Sequence, residues 1–173
     1  LAEDEPVLLL FPPLRAAWGR RGESTQVFLS ARNARRVVFG AINLRTGKRL
    51  FLVRKYQKQE DFHAFLRVVH WHYRSWRVSL LLDGDSSHTA GKSQDLGDLF
   101  QINLIWLPKR SPELNPMDHL WGQGKDVISA NQQRETIDDH VDQYLEYLES
   151  LSAQEALQTS GVLSEDFWLK SVL

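Results

Sequence analysis

The segment Val78–Asp83, V-S-L-L-L-D, constrains this chain more than any other stretch. A strand that is apolar on nearly every residue is buried on both faces, and such strands lie in the middle of a sheet with helices on either side. This one also ends on a carboxylate. The carboxyl edge of an α/β sheet is where such folds build their sites.

The flanking sequence supplies the other layers. Glu60–Arg74 sets Phe62, Phe65, Leu66, Val69 and Tyr73 on one helical stripe. Ile102–Leu107 is a further apolar strand, stopped by Pro108. Upstream, Leu1–Phe11 reads as one buried strand ended by Pro12-Pro13. Arg36–Asn43 and Arg49–Arg54 pair as a hairpin through the turn Arg45-Thr46-Gly47-Lys48. Ser93–Phe100 reads as a short helix. Downstream, Asn115 caps and Pro116 opens a helix that runs to about Ser129, weakened by Gly122 and Gly124. Thr136 and Asp139 resemble a capping box, with Asp in place of Glu or Gln. The helix they open carries Ile137, Val141, Tyr144, Leu145, Leu148 and Leu151 on one face. Strands and helices mixed in this order predict an α/β layer fold. The 173 residues fit a single domain, 1–173, with a C-terminal helical extension from about residue 134.

Composition removes whole classes of chemistry. With no cysteine there is no disulfide framework, no thiolate zinc site and no thiol nucleophile. The histidines His70 and His72 share a helix at a spacing that does not share a face, which excludes a zinc pair there. No apolar run is long enough to span a bilayer and no secretory signal is present, so the expected setting is a reducing cytoplasm without a membrane partner. A first residue of Leu rather than Met reads as a piece of a longer protein.

The net charge of −1 averages two unlike halves. Twelve Lys and Arg lie between Leu14 and Lys58, opposed only by Glu23. From Gln133 onward nine acids face Arg134 and Lys170. A basic front is the electrostatic footprint expected for a phosphate backbone, although solvated strands and loops also carry such charge.

Three acids stand where structure alone gives them little reason. Asp4 lies within the first strand, pointing away from Glu3 and Glu5. Asp83 closes the apolar strand. Asp118 falls in the first turn of the helix that Asn115-Pro116 begins. Each has an ordinary reading: an exposed strand end for Asp4, a turn with Gly84 for Asp83, the helix dipole for Asp118. Together they make a set of hard oxygen ligands suited to Mg²⁺ or Mn²⁺.

The motifs around these acids resemble one family. L-P-K-R-S-P-E-L-N-P-M-D-H-L-W, Leu107–Trp121, is similar to the signature of mariner-like transposases and related bacterial insertion-sequence transposases. L-L-L-D-G-D-S-S-H, Leu80–His88, resembles their second acidic motif, with a His five residues after the Asp. E-D-E at Glu3–Glu5, followed by W-G-R-R-G at Trp18–Gly22, resembles the first motif and its basic loop. Thirty-four residues separate Asp83 from Asp118, the spacing of the mariner-type pattern. The likeness covers residues 1 to about 150. Two positions depart from it. Many bacterial relatives carry Glu where this chain has Asp118, and Gly84 stands where Asn is common.

The resemblance implies a ribonuclease-H-like fold, a five-stranded mixed sheet flanked by helices. It implies that Asp4, Asp83 and Asp118 are catalytic and hold two Mg²⁺ or Mn²⁺ ions for in-line phosphoryl transfer on DNA. It also implies a cut-and-paste transposase that forms a homodimer when full length, acts with the bacterial nucleoid, takes no small-molecule substrate, and here lacks its helix-turn-helix DNA-binding region. Arg20, Arg21, His88, Lys109 and Arg110 are the expected DNA contacts. His88 has an ordinary reading as a turn or core residue, as does Trp121, which with Trp18 could instead stack on a base. Asp85 and Glu113 are the candidates to stand in for a ligand. The competing functional readings are a ribonuclease-H-like nuclease or resolvase, and a domesticated, inactive DNA-binding module.

Overall fold

A computed structural model describes all residues except 17, 19–21, 23–25, 28, 31 and 173. Its strands are β1 (Ala2–Asp4), β2 (Val7–Leu9), β3 (Arg35–Ile42), β4 (Arg49–Arg54), β5 (Val78–Leu82) and β6 (Ile102–Trp106). Its α-helices are α1 (Gln59–Tyr73), a single turn α2 (Ser86–Thr89), α3 (Gly91–Leu99), α4 (Pro116–Gly124), α5 (Ile137–Ser150) and α6 (Ala153–Thr159). Among the described residues, no helix is long and apolar enough to cross a membrane.

The sheet is mixed. β3 pairs antiparallel with β4 on one side and with β1 and β2 on the other, and β1 continues in parallel to β5 and then β6. Six strands stand where the sequence predicted five, and the reason is local. β1 pairs Asp4 with Gly40 and β2 pairs Val7 with Val37, so the register against β3 does not change between them. The ladder lapses only at Glu5-Pro6, where Pro6 has no N–H to donate. Its carbonyl still accepts from Val38 N at 3.1 Å. The first strand is thus continuous in register and interrupted in bonding.

The sheet is covered on both faces, as V-S-L-L-L-D requires. Leu80 and Leu82 of β5 face one core with Phe39, Phe62, Phe65, Leu66 and Val69 beneath α1. Leu81 faces the other, with Val38, Met117, Trp121, Val141, Tyr144 and Leu148 beneath α4 and α5. The helices from residue 137 onward therefore complete a core that the sheet begins. Two glycines let this second layer close. A Cβ on Gly40 would lie 2.5 Å from the Trp121 ring, and one on Gly124 would lie 2.8 Å from Tyr144. Gly124, which weakens the helix in isolation, is what allows α5 to approach it. Beyond Gly124 the helix continues as a π-helical turn, Lys125–Ser129, so the chain stays helical to Ser129 as expected but in a wider winding.

The capping box expected at Thr136 forms by half. Thr136 accepts from Asp139 N at 3.1 Å, but the Asp139 carboxylate receives the Thr136 hydroxyl at 2.7 Å instead of the cap backbone. The Thr136 hydroxyl takes up the Asp139 carboxylate, whereas at the start of α1 the carboxylate of Asp61, in the same position, does accept from the cap nitrogen of Lys58 at 3.2 Å.

Candidate active site

Three separate segments deliver the three aspartates to one place. Asp4 ends β1. Asp83 follows β5, the parallel neighbour of β1, with Ala2 paired to Leu81. Asp118 lies in the first turn of α4, which Asn115 ties down. The Asn115 Oδ1 accepts from Met117 N at 3.1 Å, and its Nδ2 donates to the Glu3 carbonyl at 2.8 Å. This side chain, expected only as a cap, also fastens α4 across the end of β1. Asp4, Asp83 and Asp118 together line a cleft of about 450 Å³, with Asp85, Lys109, Arg110 and Asn115 also on its walls.

The electrostatics of the cleft are those of acids held together at a cost. Burial pushes the Asp4 carboxyl up to about 7, and the charges of Asp118, Glu5 and Asp83 add to the shift. Asp118 is raised by burial, with Asp83 adding to the effect and Lys125 and His119 opposing it. Asp83 moves the other way. The hydrogen bond from His88 holds it below the ordinary range, against its burial, and Asp85 N assists. Burial leads both shifts, and the repulsion among the acids, which a cation would relieve, adds to it.

The face of β1 opposite Asp4 holds a second group. Glu3 and His88 have no exposed surface, and Glu5 is 8% exposed. His88 Nδ1 lies 2.9 Å from Asp83 Oδ1, and Nε2 lies 3.3 Å from Glu5 Oε1. Burial alone would lower the imidazole, but the contacts with Asp83 and Glu5, and the charges of Glu3 and Glu5, raise it to about 11. Glu3 is pushed well up by burial and by its neighbour Glu5. Among the described residues, Glu3, Glu5 and His88 are the one set of three such side chains whose ligand atoms all lie within 4.8 Å of one another. The three aspartates share a cleft more loosely than that.

The other expected site residues divide. Lys109 and Arg110 sit on the cleft wall, and Arg110 adopts a left-handed backbone, φ 61°. Arg20 and Arg21 lie outside the described residues. His88 corrects the expectation of a DNA contact: with its ring wholly buried it cannot reach a phosphate, and it binds Asp83 instead. Trp121 is core, 1% exposed, whereas Trp18 is fully exposed. Asp85 lines the cleft, but its Oδ1 is committed to capping α2 through Ser87 N and Oγ. Part of the basic front is also committed within the chain. Arg15 pairs with Asp126, Arg36 with Asp138 and Arg54 with Asp61, and Arg49 donates to the carbonyls of Glu149 and Leu151 at the end of α5. The sequence missed the burial of Glu3 and Glu5. Its signal was available: three consecutive acids in a buried strand must put one or two of them into the interior.

Comparison with known proteins bears on the family and the fold. Residues 4–140 match the family model described as DDE superfamily endonuclease. The uncharacterized 39 kDa protein of insertion element IS630 from Shigella sonnei is 27% identical over 133 residues, 76% of this chain and 39% of that protein. The transposable element Tc3 transposase of Caenorhabditis elegans is 37% identical over 51 residues, 30% of this chain and 16% of that one. The chain therefore spans well under half the length of these relatives. In fold, a crystal structure of the mariner Mos1 paired-end complex with Mg superposes with a TM-score of 0.76 at 15% identity, covering 99% of this chain and 54% of that one. The catalytic domain of Mos1 mariner transposase gives 0.63 at 17%, covering 96% and 77%.

Proposed function

The chain belongs to the DDE superfamily endonuclease family, and from that premise we propose that it is the catalytic part of a cut-and-paste DNA transposase. One observation carries the reading: acids from the end of β1, the end of β5 and the first turn of α4 meet in one cleft whose wall also bears Lys109 and Arg110.

Asp4, Asp83 and Asp118 are the proposed catalytic carboxylates and the ligands for divalent cations. The donor set fits such ions. All three are hard oxygen ligands, and the raised pKa of Asp4 and Asp118 marks carboxylates whose negative charge burial disfavours and a cation would stabilise. Two ions, Mg²⁺ or Mn²⁺, would supply activation of an attacking oxygen, first water and then a DNA 3′-hydroxyl, and stabilisation of the leaving oxygen. The chain's own part is to hold and orient. Lys109 and Arg110 would bind backbone phosphates beside the acids. Asn115 fixes α4, and hence Asp118, against β1.

DNA is the proposed substrate and partner, supported by one relative described as a transposase and another from an insertion element, and by fold neighbours solved as paired-end complexes. A homodimer of the full-length protein, Arg20 and Arg21 as further phosphate contacts, and a place at the bacterial nucleoid complete the proposal.

Asp118→Ala tests it. The variant is expected to lose Mg²⁺-dependent cleavage of transposon-end DNA by at least about 10³-fold while keeping its circular-dichroism spectrum, as expected when electrostatic stabilisation of the reaction is removed. Undiminished cleavage would refute the assignment. Strand transfer of a pre-cut end by the full-length protein separates a transposase from a nuclease or resolvase.

A further inference from the structure

Behind the cleft lies a set of buried polar side chains that the proposed chemistry does not use. We propose that His88 is the positioning residue for Asp83, and that it sets the cation affinity of the cleft by fixing that carboxylate from a buried seat between Phe62 and Glu5. The inference rests on the reading of Asp83 as a cation ligand.

Asp83 has little else to hold it. It stands one residue past β5, its side chain is 60% exposed, and a Cβ added at Gly84 after it would meet nothing. An aspartate so placed would sample several rotamers. Here its Oδ1 lies 2.9 Å from His88 Nδ1 and accepts from Asp85 N at 3.0 Å. Among the described residues nothing donates to Oδ2, so one oxygen is fixed and the other is left for the cleft.

The ring that does the fixing is itself immobile. It is fully buried and packs on Phe62 of α1 with centroids 4.3 Å apart. Its Nε2 faces Glu5 Oε1 at 3.3 Å, and that oxygen also accepts from Gln57 Nε2 at 2.8 Å. The short turn that carries it is braced by Ser93 Oγ, which donates to the Ser87 carbonyl at 2.6 Å, and His63 lies 3.0 Å from that same Oγ. Gln57, Glu5, His88 and Asp83 thus form a line of contacts from the segment just before α1, through the break between β1 and β2, to the cleft. Outer partners of this kind orient metal ligands, and losing one costs on the order of 10–100-fold in affinity.

The same atoms could instead hold a buried ion between Glu3, Glu5 and Nε2. The positioning role is favoured because the hydrogen bond that His88 makes is the one from Nδ1 to Asp83, whereas Nε2, 3.3 Å from Glu5, makes none, and Glu3 and His88 have no surface open to solvent.

The test is Mn²⁺ affinity of this chain, read by electron paramagnetic resonance of free Mn²⁺. An Asn side chain carries its N–H₂ near the place of Nδ1, and a Gln side chain carries it near the place of Nε2. His88→Asn is expected to bind within about threefold of the wild type, and His88→Gln to lose on the order of 10–100-fold. A ring that only fills space would give the reverse order, since Gln replaces more of its volume, and that order would overturn the proposal. The unmutated chain provides a second readout that does not depend on folding of the His88 variants. Its His88 Nδ1 proton should give a slowly exchanging downfield NMR resonance that Asp83→Ala removes; its absence from the wild type also overturns the proposal. Mn²⁺ bound at Glu3, Glu5 and Nε2 would do the same, because the ring would then be a ligand. If the wild type binds Mn²⁺ and Asp83→Asn weakens it, the cleft reading stands whatever the His88 series shows. If the wild type binds none, both fall.

Discussion

The two faces of β1 carry the same chemistry and settle it in opposite ways. On one face Asp4 looks into an open cleft with Asp83 and Asp118, and its charge is left uncompensated by the chain. On the other, Glu3 and Glu5 are sealed in, and a histidine raised to about 11 supplies the positive charge from within. Acids one residue apart on a strand thus do different work because the pleat sends them to different solvents. A face that must take its counter-charge from solution stays open and strained. A face that carries its own counter-charge can close.

That contrast gives opposite signs for mutation. Glu5→Ala removes one of the two carboxylates that face the buried His88, and loss of a partner from a buried pair costs up to roughly 3–5 kcal/mol. Urea unfolding at pH 7 should show that loss; an unchanged midpoint would mean the rear face does not depend on the pair. Asp4→Asn works the other way. It removes charge that burial and Asp118 oppose, so the cation-free chain should melt a few degrees higher while cleavage is lost. A lower melting temperature would place Asp4 among the stabilising carboxylates and erase the contrast.

The smallest effect is in the pH dependence. The Asp4 carboxyl is raised from 3.8 to about 7, so between those values the folded chain keeps a proton that the unfolded chain has released. Its contribution is present at low pH and is lost as pH rises to about 7. Cation binding requires the deprotonated form, so the rise in melting temperature caused by Mg²⁺ should be larger at pH 8 than at pH 6. An equal rise at both would mean that Asp4 does not gate the site.

Much of this was legible in the sequence because it lies in local patterns. V-S-L-L-L-D, the stripe of α1 and the Asn115-Pro116 start each fix an element through a few neighbouring residues, and the acids fall at their ends. The break at Glu5-Pro6 is also local, but it is a lapse in bonding within an unbroken register, which periodicity does not reveal. What stayed hidden was pairwise and distant. His88 shows the same motif whether it faces solvent or the interior, and only the packing of α1 against the turn after β5 decides. The basic front looked free because Arg36 and Arg49 meet their partners about a hundred residues away, on α5 and its end. Gly124 likewise reads as a weak point in a helix until Tyr144 is brought against it.

The central claim is that Asp4, Asp83 and Asp118 form a cation site that the rear face does not share. Anomalous diffraction from a crystal soaked in Mn²⁺ tests it most directly. The account predicts density in the cleft, bounded by these three carboxylates, and none at Glu3, Glu5 and His88. A cleft empty at saturating Mn²⁺, or density on the buried set alone, would contradict it.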